Sequence, residues 1–117
     1  MSSEEAKKII GTPINMGSYE VAQNDFREYA DWDQAEKLCK SLGEGWRLPD
    51  KRELSEMLKS RDKIGNFLLG ENYWSSSKSG WGGYYRAFIY SDNDGFSGQA
   101  TSGASSAHYV RAVRSIE

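Results

Sequence analysis

At 117 residues the chain is long enough to bury one domain-sized core without disulfide or metal staples. Lys and Arg number 15 against 17 Asp and Glu, a net charge of −2 that argues against a nucleic-acid or polybasic membrane binder, since such proteins concentrate Lys and Arg in a stripe. No apolar run approaches the roughly 18 residues of a membrane-spanning helix, and the lone cysteine, Cys39, excludes an intrachain disulfide.

The acidic start, Met1-Ser2-Ser3-Glu4-Glu5, lacks the basic-then-apolar order of a secretory signal. The expectation is a product that is cytoplasmic as synthesised, with incorporation into a phage particle as a route outward. Residues 1–13 read as a polar lead-in: one or two helical turns over 1–10, with Ile9 and Ile10 as points of attachment, broken by Gly11-Thr12-Pro13. Residues 14–117 form the expected domain. Ile14, Met16, Tyr19 and Val21 suggest one or two strands over 14–26, with a turn near Gly17-Ser18.

A helix is predicted over 32–42, with Asp31 as its N-cap and Gln34 completing a capping-box pattern. Trp32, Ala35, Cys39 and Leu42, with Leu38 beside them, share one face at helical spacing, and Glu36 with Lys40 makes an i,i+4 pair on the other. Gly43 stops this helix. Trp46-Arg47-Leu48-Pro49 follows, and Asp50 then caps a second helix, with Glu53 at its third position and Leu54, Met57 and Leu58 as its apolar stripe. This helix is expected to end near 59–63. From Tyr73 the texture changes to strands and Gly/Ser loops: a short strand at 73–76, a loop at 78–83, a β-rich run at 84–90, an Asp-Gly turn at 91–95, a return strand at 96–100, a small-residue loop at 101–106 and a closing strand at 107–115.

Gly17-Ser18-Tyr19-Glu20-Val21-Ala22, the Asp31-Trp32 helix, Gly43-Glu44-Gly45-Trp46-Arg47-Leu48-Pro49, Glu53-Leu54, Tyr73-Trp74-Ser75-Ser76-Ser77 and Val110-Arg111-Ala112-Val113-Arg114 occur in one order. In that order the chain resembles the bacterial and phage family named for the C-terminal domain of a Legionella collagen-like adhesin, over about residues 14–116. The resemblance implies an α+β, C-type-lectin-like fold: two helices packed on a twisted, mainly antiparallel sheet with long Gly/Ser-rich loops on one side. It also implies adhesion to a glycan and a homo-oligomer, a trimer, as for the family's namesake. The helix, Trp-Arg-Leu-Pro, helix order is similar to the formylglycine-generating enzyme superfamily as well. Those enzymes work through paired cysteines late in the chain, whereas no cysteine follows Cys39 here.

Structural duty is the expectation for Trp32, Trp46, Arg47, Leu48, Pro49 and Trp74. The planar guanidinium of Arg47 can bond several loop carbonyls at a Trp-anchored corner. Arg111 and Arg114, three apart on a strand, face opposite ways, so they do not form a simple two-arginine anion clamp, and at least one is expected in internal bonding. Asp92-Asn93-Asp94, with Glu71 and Asn72, offers oxygens of the kind calcium takes. The same residues are ordinary turn chemistry, and the Glu-Pro-Asn and Trp-Asn-Asp signatures of calcium-dependent lectins are absent from the sequence, so no metal is expected.

Ser75-Ser76-Ser77 with His108 lacks the Gly-x-Ser-x-Gly elbow and a placed acid, so no catalytic residue is assigned and no cofactor expected. The residues expected to meet a ligand are Trp81, Tyr84, Arg86, Tyr90, Asp92, Asn93, Asp94, Phe96 and Gln99, aromatics and polar side chains among Gly/Ser loops. Core packing is the other reading of the aromatics, since one face of the 84–90 strand must be core and alternation alone leaves open which. The function expected is a non-enzymatic binding or adhesion module for a protein or glycan, with neither nucleic-acid binding nor membrane insertion. The alternative is an intracellular structural or regulatory subunit that oligomerises through its aromatic face.

Overall fold

The computed structural model describes residues 2–67, 72–78, 84–90, 97–103 and 107–116, with backbone alone for 78, 84–90 and 97–103. Helix α1 (Ser3–Ile10) starts on Ser2, whose hydroxyl accepts from the Glu5 N–H. It packs on the body through Ala6 and Ile9. Gly11 ends it at φ 56, and a Cβ there would come within 2.2 Å of the Gln23 side chain, so only glycine lets the two segments cross this closely. Strands β1 (Ile14–Asn15) and β2 (Tyr19–Val21) then form a hairpin.

Helix α2 (Trp32–Ser41) has the full reciprocal cap: the Gln34 N–H donates to Asp31 Oδ1 at 2.9 Å and the Asp31 N–H to Gln34 Oε1 at 3.2 Å. Strand β3 (Trp46–Arg47) leads into α3 (Lys51–Lys59), where Asp50 and Glu53 repeat the device at 2.7 and 2.9 Å. This second helix ends at Lys59, within the expected 59–63; the backbone of Ser60 leaves the helical region, and a separate turn α4 (Arg61–Ile64) follows.

Strands β1, β2, β7 (Val113–Ser115) and β3 make a four-stranded antiparallel sheet in the order β1-β2-β7-β3. Strands β4 (Asn72–Lys78), β5 (Tyr84–Tyr90) and β6 (Ser97–Gly103) make a second, three-stranded antiparallel sheet. Two expectations fail here. Residues 101–103, read as loop from their small side chains, continue β6 because each has a partner on β5: Thr101 opposite Arg86, Ser102 opposite Tyr85 and Gly103 opposite Tyr84. Residues 107–115 are not one strand, since only Val113–Ser115 joins a ladder.

The reason is that 108–112 bonds to several segments in turn. His108 pairs with Ala30, Tyr109 with Asn72 and Trp74, the Val110 carbonyl accepts from Phe26, and the Ala112 carbonyl accepts from Ala22. This segment is the seam between the two sheets.

Strand alternation divides the core. Ala22, Ala112, Trp46, Leu48 and Trp74 pack with α1 and α2 in one cluster, and Tyr19, Val21, Tyr73 and Val113 pack with Leu54, Met57 and Leu58 of α3 in the other. Adjacent residues of β4, Tyr73 and Trp74, enter different clusters and are both fully buried. The α+β frame is therefore helices on both sides of strands, with α3 lying against β4, β5 and β6.

Candidate functional site

The Trp46-Arg47-Leu48-Pro49 corner is built from the inside. Trp46, Leu48 and Pro49 are buried, and the Arg114 guanidinium lies 4.9 Å from the Trp46 ring centre. Arg47 makes a two-pronged pair with Glu53, at 2.7 and 2.9 Å, and donates also to the Leu48 carbonyl and the Ser115 hydroxyl. Desolvation pushes the Glu53 carboxyl up, but hydrogen bonds from Arg47 and the Asp50 N–H, with the charges of Arg47 and Arg52, outweigh it and hold the group below the usual carboxylate range. Glu53 thus ties corner, helix cap and the end of β7 together.

Arg111 and Arg114 are both engaged within the frame. Arg114 pairs with Glu20 across the β2–β7 ladder. Arg111, 1% exposed, donates Nε–H to Asp25 Oδ1 at 2.7 Å, while its Nη1 reaches the Ala22 and Gly65 carbonyls and its guanidinium lies over the Phe67 ring. The Tyr73 hydroxyl donates to the other Asp25 oxygen at 2.7 Å. Burial pushes the Asp25 carboxyl up, against the opposing pull of Arg111 and the Tyr73 hydroxyl. Asp25 carries this network, and sequence reading passed over it: its partners lie 48 and 86 residues away, and nothing local marks it. The two indoles are used likewise. Trp32 Nε1–H donates to the Ser75 carbonyl at 3.0 Å and Trp74 Nε1–H to the Ala30 carbonyl at 2.8 Å.

The groups that could suggest catalysis are placed as frame parts. Cys39 is buried, and burial pushes its thiol up to about 12, with Glu36 adding to the shift. The His108 ring meets Trp74 edge-on at 4.6 Å, Ser75 Oγ accepts from the Ser77 N–H, and Ser77 Oγ accepts from the Lys51 N–H at the start of α3. Among the described residues no group of three or more His, Cys, Asp or Glu could hold a metal ion, and no helix is long and apolar enough to cross a membrane. An open groove of about 920 Å³ lies between α1, α2 and residues 26–30, floored by Ile9, Phe26 and Leu38. At its side stands Tyr29, 53% exposed and 4.5 Å from the Tyr109 ring.

The expected ligand residues belong to the β5–β6 hairpin and the segments flanking it. Tyr84, Arg86 and Tyr90 take alternate positions on β5, opposite Gly103, Thr101 and Ser97; Phe88, between them, stands opposite Gln99. Alternate positions and their direct cross-strand partners share one parity, so the register gathers Tyr84, Arg86, Tyr90 and Gln99 on positions of the same kind. Trp81, Asp92, Asn93, Asp94 and Phe96 lie outside the described residues, as does Glu71.

The model of a family described as a domain of unknown function (DUF8780) matches residues 22–111. Among solved structures, three snake venom C-type-lectin-like proteins are similar to this chain. EMS16, described as an antagonist of the collagen receptor integrin alpha2beta1 (GPIa/IIa), gives a TM-score of 0.67 at 13% identity, over 89% of this chain and 97% of its own. Botrocetin gives 0.68 at 14% identity, over 91% and 98%. Rhodocetin gives 0.66 at 14% identity, over 89% and 97%. Likeness at this level of identity establishes the C-type-lectin-like fold and leaves the ligand open. No curated protein matches the sequence.

Proposed function

The chain belongs to the DUF8780 family, and from that premise we propose that it is a non-enzymatic binding module that recognises a protein or glycan through the hairpin face spanning residues 78–106. The observation that carries this reading is the use of the frame's own chemistry. Arg47, Arg111 and Arg114 end on Glu53, Asp25 and Glu20, Trp32 and Trp74 end on backbone carbonyls, and Cys39 is held as a thiol. What such a frame offers a partner is the hairpin, where Tyr84, Arg86, Tyr90 and Gln99 share register positions of one parity and Trp81, Asp92, Asn93, Asp94 and Phe96 adjoin them in sequence. Ligand residues carried on connecting segments above a rigid support are the usual division of labour in binding domains. EMS16, an integrin antagonist on the same fold, is a precedent for a protein ligand.

The wider setting we infer is a bacterial or phage surface component, from the resemblance of its motif order to that of the collagen-like adhesin family. The test is binding of the purified chain to sulfated and neutral glycan arrays and to intact bacterial cells, repeated with Trp81→Ala and Asp92→Ala. The reading expects binding to one class of surface, its loss in Trp81→Ala and its weakening in Asp92→Ala. Failure to bind any of these surfaces, or binding that survives Trp81→Ala, overturns it.

A further inference from the structure

A sheet edge exposes a row of unpaired backbone N–H and C=O groups, and native folds close or blunt it. Three of the four edges here are managed. In the first sheet the outer strands β1 and β3 are two residues each. The outer edge of β4 is occupied by the seam and the corner: the Trp74 N–H donates to the Tyr109 carbonyl at 3.1 Å, the Tyr109 N–H to the Asn72 carbonyl at 2.9 Å, and the Ser76 N–H to the Pro49 carbonyl at 2.8 Å.

The remaining edge is β6. Ser97–Gly103 pairs with β5 along its whole length, and among the described residues no strand pairs with its other side. Ser97-Gly98-Gln99-Ala100-Thr101-Ser102-Gly103 has none of the devices that blunt an edge: no Pro, no Lys, no charge of either sign, and no shortness. The whole stretch 95–110 lacks Asp, Glu, Lys and Arg in a chain that is 27% charged.

We propose that the outer edge of β6 is the pairing surface for a second copy of this chain. The two β6 strands run antiparallel about a two-fold axis at Ala100, and the two three-stranded sheets become one continuous sheet. Two arguments select this occupant over a foreign strand. An antiparallel edge is self-complementary: in the register centred on Ala100, the middle of Ser97–Gly103, each copy offers the donors and acceptors that the other lacks along the full strand, and the closed two-fold leaves no further β6 edge open. The strand is also neutral, so two copies that each carry −2 meet without like charges facing one another, while nothing on β6 would select a charged foreign peptide. The proposal goes beyond the ligand reading and does not depend on it. If both hold, the dimer sets two hairpins side by side and a multivalent surface gains avidity.

The test is analytical ultracentrifugation of the full chain over a wide concentration range, with Ala100→Lys and Thr101→Lys as edge variants and Lys37→Glu on α2 as the control. A reversible monomer–dimer equilibrium is expected. Each edge lysine enters the interface twice and raises the dissociation constant about tenfold or more, with unchanged far-ultraviolet circular dichroism, and Lys37→Glu leaves the constant unchanged. Ala100→Cys is the second readout, because Cys39 is buried and the new thiol is the reactive one. Oxidation should link two copies through position 100, and Lys37→Cys should link none. This variant decides the matter if a lysine variant misfolds. A monomer at every concentration overturns the proposal, whether or not β6 captures some other peptide. So does a dimer that tolerates both lysines, or one in which Ala100→Cys does not cross-link.

Discussion

In the frame, oppositely charged groups pair within the chain: Arg111 finds Asp25 and Arg114 finds Glu20 from far along the sequence, and Arg47 finds Glu53 six residues on. In the β5–β6 hairpin the connection is backbone to backbone along a full ladder, and the returning strand carries no charge at all. The contrast separates two duties. A charge placed in the frame fixes one arrangement of sheet, seam and helix, because an alternative packing would strand it without its partner. A neutral ladder fixes only the direction and register of its strands and leaves side-chain identity available for recognition. Substitutions in the frame should accordingly act on stability, and substitutions in the hairpin on binding and self-association.

The largest effect is expected at the Asp25 network. Asp25→Ala leaves the Arg111 guanidinium buried without its counter-charge and should cost about 3–5 kcal/mol in urea unfolding. The double variant Asp25→Ala with Arg111→Met should recover a substantial part of that loss. If Asp25→Ala is neutral, the buried pair is not what holds the seam. Next in size is the cap of α3. Asp50→Ala removes one half of the capping box and leaves the Glu53 N–H without its side-chain acceptor, at about 1–2 kcal/mol. If Trp81 and Asp92 serve a ligand and not the core, as proposed, Trp81→Ala and Asp92→Ala should stay within about 0.5 kcal/mol of the parent.

A pH effect sharpens the same contrast. The folded-state pKa of Glu53 is lowered below its ordinary value of 4.5, so its contribution to stability is fully present above that value and is lost as pH falls through the lower, folded one. Melting temperatures measured from neutral pH down into acid should fall across that window. The fall should be smaller in Glu53→Gln, which is already less stable at neutral pH; identical acid profiles for the two proteins would remove Glu53 from the account. Smallest of all, thiol labelling of the native protein should be silent, because the Cys39 thiol is buried and pushed up to about 12. Rapid labelling would reopen a cysteine-based activity.

The parts of the fold readable from sequence are those specified locally. Asp31 with Gln34 and Asp50 with Glu53 are three residues apart, and both capping boxes form. The β1–β2 hairpin with its turn near Gly17 and the β5–β6 pairing also follow from nearby residues. What sequence could not give depends on distant partners. Residues 107–115 have the composition of a strand, but the hydrogen bonds of 108–112 go to Ala30, Asn72, Trp74, Phe26 and Ala22, and only tertiary packing decides that. The extension of β6 through Gly103 was hidden by small side chains, because strand propensity scores side chains while the ladder is made of backbone. Of the candidate site, Arg47 offered a visible hint in the Trp-Arg-Leu-Pro corner and its neighbour Glu53. Asp25 and the half-exposed Tyr29 offered none.

The separation of frame from hairpin is tested most directly by measuring melting temperature and surface binding on the same preparations of Trp81→Ala and Asp50→Ala. The account predicts that Trp81→Ala melts with the parent and loses binding, and that Asp50→Ala melts earlier yet binds normally well below its transition. Binding that survives Trp81→Ala, or that disappears in folded Asp50→Ala, would contradict it.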